Sequence, residues 1–172
     1  CLIIMAACLV LSAYFSATET AFSSANSTRL KTLAEKGSKK AKLACELLEH
    51  YDKLLSTILI GNNIVNILMA SIGTVLFVRH YGDAGATIST VVVTVVVLVF
   101  GEISPKSVAK DCAERFAMFS APILRVFLFV LTPLNFLFSL WKKLLAKVFR
   151  LNGESKMSQE ELLMLVDEVQ QD

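Results

Sequence analysis

The chain has 172 residues, 55% of them hydrophobic and only 19% charged, with a net charge of +2 and a mean hydropathy of +0.61. Its apolar residues collect in long uncharged runs, which excludes an ordinary soluble domain and predicts an all-α integral membrane domain followed by a short polar tail. Four cysteines, Cys1, Cys8, Cys45 and Cys112, have neither CxxC pairing nor metal-ligand spacing and read as buried or incidental thiols.

In chain order, the uncharged run Cys1 to Thr18 predicts a first membrane helix continuing towards Ala25. No initiator Met or basic segment precedes it, so it reads as the start of an excised piece of a longer chain rather than a signal peptide. Ala13, Ala17, Ala21 and Ala25 recur every four residues and form a small face that another helix can approach closely. Beside it, Ser12, Ser16, Glu19, Thr20 and Ser23 share a polar face. Such a face turns towards protein, water or an ion; alternatively its hydroxyls bond back to their own helix.

Asn26 to Lys53 is the most basic loop, with Arg29, Lys31, Lys36, Lys39, Lys40, Lys42 and Lys53. Gly37-Ser38 in its middle reads as a helix stop followed by an N-cap, which predicts a hairpin of two short amphipathic helices. The positive-inside rule makes this loop cytoplasmic and puts the N-terminus outside and the C-terminus in the cytoplasm. No aromatic residues for base stacking are interleaved with the charges, so no nucleic-acid partner is expected.

Leu54 to Val78 is a second span, uncharged but carrying Asn62, Asn63 and Asn66. Asparagine supplies a neutral oxygen for a hard cation, or hydrogen bonds between helices. After a short outer loop, Arg79 to Asp83, Ala84 to Gly101 reads as a third span. Its β-branched core would suit a strand in water, but an isolated strand cannot satisfy its backbone in lipid.

That span ends in Gly101-Glu102-Ile103-Ser104-Pro105-Lys106. Pro105 has no N–H, so the carbonyl four residues back, on Gly101, loses its helical partner. A freed carbonyl beside a carboxylate at an interrupted membrane helix is the arrangement of an ion site; the alternative is a helix end with a capping acid and a stop proline. Phe116 to Phe149 holds seven of the eleven phenylalanines but is divided by Arg125, broken by Pro122 and Pro133, and flanked by basic residues on both sides. This favours a re-entrant or juxtamembrane helix with Trp141 at the interface over a fourth crossing. Ser158-Gln159-Glu160-Glu161 is a capping box that opens a short acidic amphipathic helix. The expected division is a membrane domain over 1–151 and the start of an acidic cytoplasmic helical bundle over 152–172.

Three spans thus bring a hydroxyl (Ser16), an amide (Asn66) and a carboxylate with a carbonyl (Glu102, Gly101). An all-oxygen set without His or Cys suits Mg²⁺, Ca²⁺ or Na⁺ rather than zinc or copper. No nucleophile–base pair is present, so no enzyme is expected.

The motifs Phe15-Ser16-Ala17-Thr18-Glu19-Thr20-Ala21, Ile60-Gly61-Asn62-Asn63-Ile64-Val65-Asn66-Ile67 and Gly101-Glu102-Ile103-Ser104-Pro105-Lys106 together resemble the signatures of the CNNM/CorC magnesium-transporter transmembrane domain, over nearly the whole chain. The resemblance implies a homodimer in the plasma membrane with three membrane helices and a juxtamembrane helix per subunit. It implies a nearly dehydrated Mg²⁺ held by Ser16, Asn66 and Glu102, export coupled to Na⁺ entry, and cytoplasmic ATP-binding CBS domains beyond this chain. The Gly101 carbonyl is added from the proline geometry. Glu19, Thr20, Asn62 and Asn63 are candidates for lining the ion path, Pro105 for the hinge of an alternating-access motion, and Lys106 reads as a plain interfacial lysine or, alternatively, as an arm reaching Glu102 or a neighbouring carbonyl when the ion has gone. A Mg²⁺-sensing scaffold that regulates a separate transporter is the alternative function.

Overall fold

The computed structural model describes residues 1–148, all of them assigned below to helices and the short connections between them. Helix α1 spans Leu2–Ser24. The basic loop is the expected hairpin, α2 (Ser27–Glu35) and α3 (Lys39–Glu49). Asn26 caps α2 by accepting from the Arg29 amide at 3.1 Å, and Ser38 caps α3 through the Ala41 amide at 3.3 Å. Gly37 makes the turn between them with φ +93°, a backbone conformation that glycine adopts without strain.

Helix α4 runs from Tyr51 to Tyr81. Gly82, with φ +63°, turns the chain into a 3₁₀ turn (Gly82–Ala84) and then α5 (Gly85–Val96). The two helices lie side by side: a side chain on Gly73 of α4 would meet Val93 and Ser89 of α5, and one on Gly85 would meet the Phe77 backbone. Among the described residues two helical stretches are long and apolar enough to cross a membrane, Leu2–Ser24 and Tyr51–Asp111, and the bent pair Ala113–Val130 and Thr132–Phe138 makes a third if it is one span. Because Tyr51–Asp111 folds back at Gly82, each of its limbs is itself of membrane length: at 1.5 Å per residue α4 is about 46 Å long and Gly85 to Ile103 about 28 Å. Large apolar side chains, among them Ile3, Val10, Ile67, Val75, Val91 and Phe100, are exposed along these helices, as lipid-facing surfaces require.

The third span does not break at Gly101–Pro105. From Val97 to Ile103 it changes its winding to π, with the Ser104 amide bonded back to the Val99 carbonyl, and it continues directly into α6 (Ser104–Asp111) with Pro105 in the first turn. A wider turn ahead of a proline relieves the ring's clash with the preceding carbonyls without ending the helix. The expected interruption is therefore a local re-winding.

Pro122 does not break the chain either; it lies inside α7 (Ala113–Val130), which also carries the exposed Arg125. The break is at Leu131, where the chain bends by 71° before α8 (Thr132–Val148). Such a bend fits either a broken span or a re-entrant segment. From Phe136 onward α8 belongs to a second unit, in which Leu137, Leu140, Trp141 and Leu144 are exposed. The expected acidic helix over 152–172 lies outside the described residues.

The core of the first unit sits where α1 meets α4, α6 and α7. Phe15, 1% exposed, packs edge-to-face on Phe127 at 5.0 Å and rests against Gly61, where any side chain would come within 2.5 Å of its ring. Ala17 and Ala21 of the small face join Ala109, Ala117 and Ala121 in the same cluster. Small residues on both sides let the helix backbones approach, and dispersion over that contact replaces the hydrophobic drive that lipid removes.

Candidate ion site

Contacts fix the relative directions of the three spans. Met5 faces Gly73, Phe15 faces Gly61, and the Ser12 hydroxyl donates to Asn62 Oδ1 at 3.1 Å, so α1 and α4 are antiparallel. Ser12 faces Gly101 and Glu19 pairs with Lys106, so α1 runs parallel to the π segment and α6. Gly101 is buried, and a methyl group there would lie 3.0 Å from Ser12 Oγ. Absence of a side chain is what lets the π segment approach α1 at this level.

Glu102 follows immediately, half-buried, and accepts a long hydrogen bond of 3.5 Å from Asn66 Nδ2. Asn66 lies one turn beyond Asn62 on the same face of α4, and Ser16 lies one turn beyond Ser12 on the same face of α1. Ser12 thus links α1 to α4, while Asn66 links α4 to the π segment.

Two oxygens in this region stand out. Ser16 Oγ, on a fully buried side chain, and Asn66 Oδ1 are both shielded from solvent and have no hydrogen-bond partner. A buried polar atom without a partner costs about 1–3 kcal/mol, so an oxygen left this way is suited to meet something that is not protein. Other hydroxyls on these helices satisfy themselves: Thr18, Thr57, Ser71 and Thr74 each bond to the carbonyl four residues earlier. Asn66 meets the Glu102 carboxylate directly, whereas Ser16 lies one turn along α1 on the other side of the Ser12–Asn62 contact, because α1 and α4 run antiparallel; the candidate donors are mostly neutral, hard oxygens. Among the described residues no group of three His, Cys, Asp or Glu side chains could hold a metal, so any ion here would rely on such neutral donors.

The remaining candidates divide. Asn62 is engaged with Ser12 at the site's edge. Asn63 is exposed and donates to its own helix at Leu59 O, 2.9 Å away, so it stands apart from the other two asparagines. Thr20 is half-buried, and its carbonyl accepts from Ser23 Oγ at 3.1 Å. Lys106 pairs not with Glu102 but with a path candidate on α1: its Nζ is 3.2 Å from Glu19 Oε2 in a partly exposed ion pair. Pro105 sits at the start of α6 as described. Sequence reasoning named Ser12 only as part of a polar stripe; its four-residue spacing from Ser16 was the signal that it shares the site's face.

The profile described as the Cyclin M transmembrane N-terminal domain, CNNM, matches residues 3–172. The chain belongs to the CNNM family. It is similar to a UPF0053 protein of Haemophilus influenzae, 47% identical over 169 residues, covering 96% of this chain and 40% of the relative. The UPF0053 inner membrane protein YfjD of Escherichia coli is 39% identical over 162 residues, covering 92% of this chain and 38% of that protein. A more distant relative, 24% identical with 94% of this chain and 41% of its own length covered, is the polyamine export protein of Haemophilus influenzae. The chain therefore spans about two fifths of the length of these relatives. With the membrane-length helices above, it is a multi-pass membrane domain of the CNNM type.

Proposed function

We propose that this CNNM domain carries Mg²⁺ across the membrane, exporting it in exchange for entering Na⁺ by alternating access. The observation that carries the reading is the buried, unpartnered Asn66 Oδ1 on a side chain that meets the Glu102 carboxylate, with a second unpartnered oxygen, Ser16 Oγ, further along α1. In this reading Ser16, Asn66, Glu102 and the Gly101 carbonyl replace part of the ion's water shell. Magnesium gives up water reluctantly, so a site with one carboxylate holds it partly hydrated and can release it. The basic α2–α3 hairpin faces the cytoplasm, the Gly82 turn faces outside, and the C-terminus is cytoplasmic. Export and Na⁺ coupling, the homodimer and the CBS domains further along the chain rest on the family resemblance.

A polyamine-exporting relative supports an outward path for cations in this fold, and it supplies a second reading in which an organic ammonium is the cargo. The test is reconstitution of the full-length protein into liposomes with a trapped Mg²⁺ indicator, with and without an opposing Na⁺ gradient, beside Glu102→Gln and with spermidine as competitor. Na⁺-dependent Mg²⁺ flux that Glu102→Gln abolishes is the expected result. Spermidine flux without Mg²⁺ flux would move the cargo to the amine. Mg²⁺ binding without flux in a folded preparation would make the domain a sensor or scaffold.

A further inference from the structure

Two recesses share α6 and α7 as walls. The first, about 520 Å³, is charged: Arg29 of α2, Asp111 at the end of α6, and Glu114 and Arg115 at the start of α7 line it, with Leu33 and Met118. The second, about 410 Å³, is chiefly apolar, and its lining includes Ala13 and Ala17 of the small face of α1, Pro105 and Val108 of α6, and Phe119 of α7. Both are of the size that holds small molecules, about 300–1,000 Å³. Each wall runs from one recess to the other. Val108 and Asp111 are three residues apart on α6, and Arg115 and Phe119 are four apart on α7, so each pair shares an edge of its helix.

The recesses stand at different depths. Helices α1 and α6 run parallel, and the Glu19–Lys106 pair sets their level, which brings Asp111 beside the end of α1 at Ser24. The charged recess therefore sits at the end of a membrane-length helix, where lipid headgroups lie. The apolar one follows α1 from Ala17 back to Val10, about 10 Å along the span. Charge in the first recess is balanced and half used. Arg29 and Glu114 pair at 3.7 Å. Asp111 and Arg115 are exposed and, among the described residues, have no ion-pair partner. One guanidinium is thus available to an anion and one carboxylate to a cation.

We propose that the two recesses together hold one phospholipid with a phosphoethanolamine headgroup, its phosphate on Arg115, its ammonium on Asp111 and an acyl chain in the apolar groove. A guanidinium matches phosphate geometry with two parallel hydrogen bonds. A primary ammonium brings N–H donors to the carboxylate; a trimethylated one brings none. A headgroup that is only anionic leaves Asp111 without a partner and beside like charge. The groove selects a lipid over a water-soluble phosphate ester, and charged pockets between helices at this depth are headgroup sites. The inference does not depend on which ion the domain carries.

The test titrates delipidated full-length protein in detergent with phosphatidylethanolamine, phosphatidylcholine or phosphatidylglycerol, reading bound lipid by native mass spectrometry and melting temperature. Phosphatidylethanolamine should bind and raise the melting temperature, and the other two should bind on the order of tenfold more weakly, as expected for losing hydrogen bonds to a charged group. Arg115→Ala and Asp111→Ala should each weaken phosphatidylethanolamine on the order of tenfold, and Asp111→Ala should also erase its advantage over phosphatidylglycerol. Val108→Trp fills the groove from a position that is 65% exposed, so it should weaken lipid binding without lowering the melting temperature of the delipidated protein. Lys40→Ala, exposed on α3 and outside both recesses, should change nothing. Equal affinity for the three lipids in wild type overturns the proposal whatever the variants do. Unchanged phosphatidylethanolamine binding in Arg115→Ala or Val108→Trp overturns it too. Free phosphoethanolamine that displaces the lipid at equal concentration would leave the groove no role, and a dimer broken by Val108→Trp with lipid still bound would give the groove to a second copy; either result refutes the lipid assignment.

Discussion

Glu102→Gln separates the ion site from the fold because it removes a charge and little else. Glu102 accepts from Asn66 Nδ2 at 3.5 Å, and a glutamine oxygen accepts the same bond. The helix contact between α4 and the π segment is therefore retained, and the melting temperature of the ion-free protein should not fall. Ion affinity should. A divalent cation about 4 Å from a carboxylate, at an effective dielectric constant near ~20, is attracted by about 8 kcal/mol. Desolvating both groups cancels much of this, and breaking such a buried pair typically costs about 3–5 kcal/mol. Even the lower figure weakens binding by roughly a hundredfold. Isothermal titration of Mg²⁺ into the purified full-length protein, wild type beside variant, reads the difference directly. A variant affinity within about threefold of wild type, or roughly 0.6 kcal/mol, would refute the reasoning, because a carboxylate that contributes so little cannot be a ligand.

The other predictions concern packing. Gly61→Ala should destabilise the domain by about 1–3 kcal/mol, since its methyl would sit 2.5 Å from the Phe15 ring; thermal melting in detergent checks this, and a smaller residue at Phe15 should recover part of the loss. Asn135 donates to Thr57 Oγ1 at 2.7 Å, both side chains being buried. Thr57→Val should cost about 1–3 kcal/mol by stranding that amide, and adding Asn135→Leu should restore most of it. Lys106→Met should shift stability by less than about 1 kcal/mol, because the pair with Glu19 is partly exposed, at 41% and 27%; a large drop in melting temperature would show that Lys106 holds the spans together.

The elements were legible because lipid leaves few choices. Uncharged runs of membrane length must be helices, and Gly37-Ser38 carries its own stop and cap, so α1 to α5 lie close to where the pattern puts them. What could not be read were features that depend on a neighbouring helix. Pro105 and Pro122 both read as breaks; in water they would often be, but a membrane helix re-winds or tolerates a proline when nearby groups take up the freed carbonyls. Of the prolines read as breaks only Pro133 marks one: the chain bends at Leu131, two residues ahead of it.

Lys106 makes the same point about charge. Its sequence neighbour is Glu102, one turn away, and the sequence leaves open whether the two meet or Lys106 is a plain interfacial lysine. The structure pairs it with Glu19, on a helix more than eighty residues earlier in the chain. That choice follows from register: Gly101 lets the π segment close onto Ser12, and from there the parallel course of α1 and α6 carries Lys106 to the level of Glu19. Glu102 is left with a long bond to Asn66 and, among the described residues, no cationic side chain paired with it. A glycine's missing side chain thus sets which of two acids is neutralised by protein, and the acid left over lies beside the unpartnered Asn66 oxygen, where a metal ion can supply the charge that Lys106 does not.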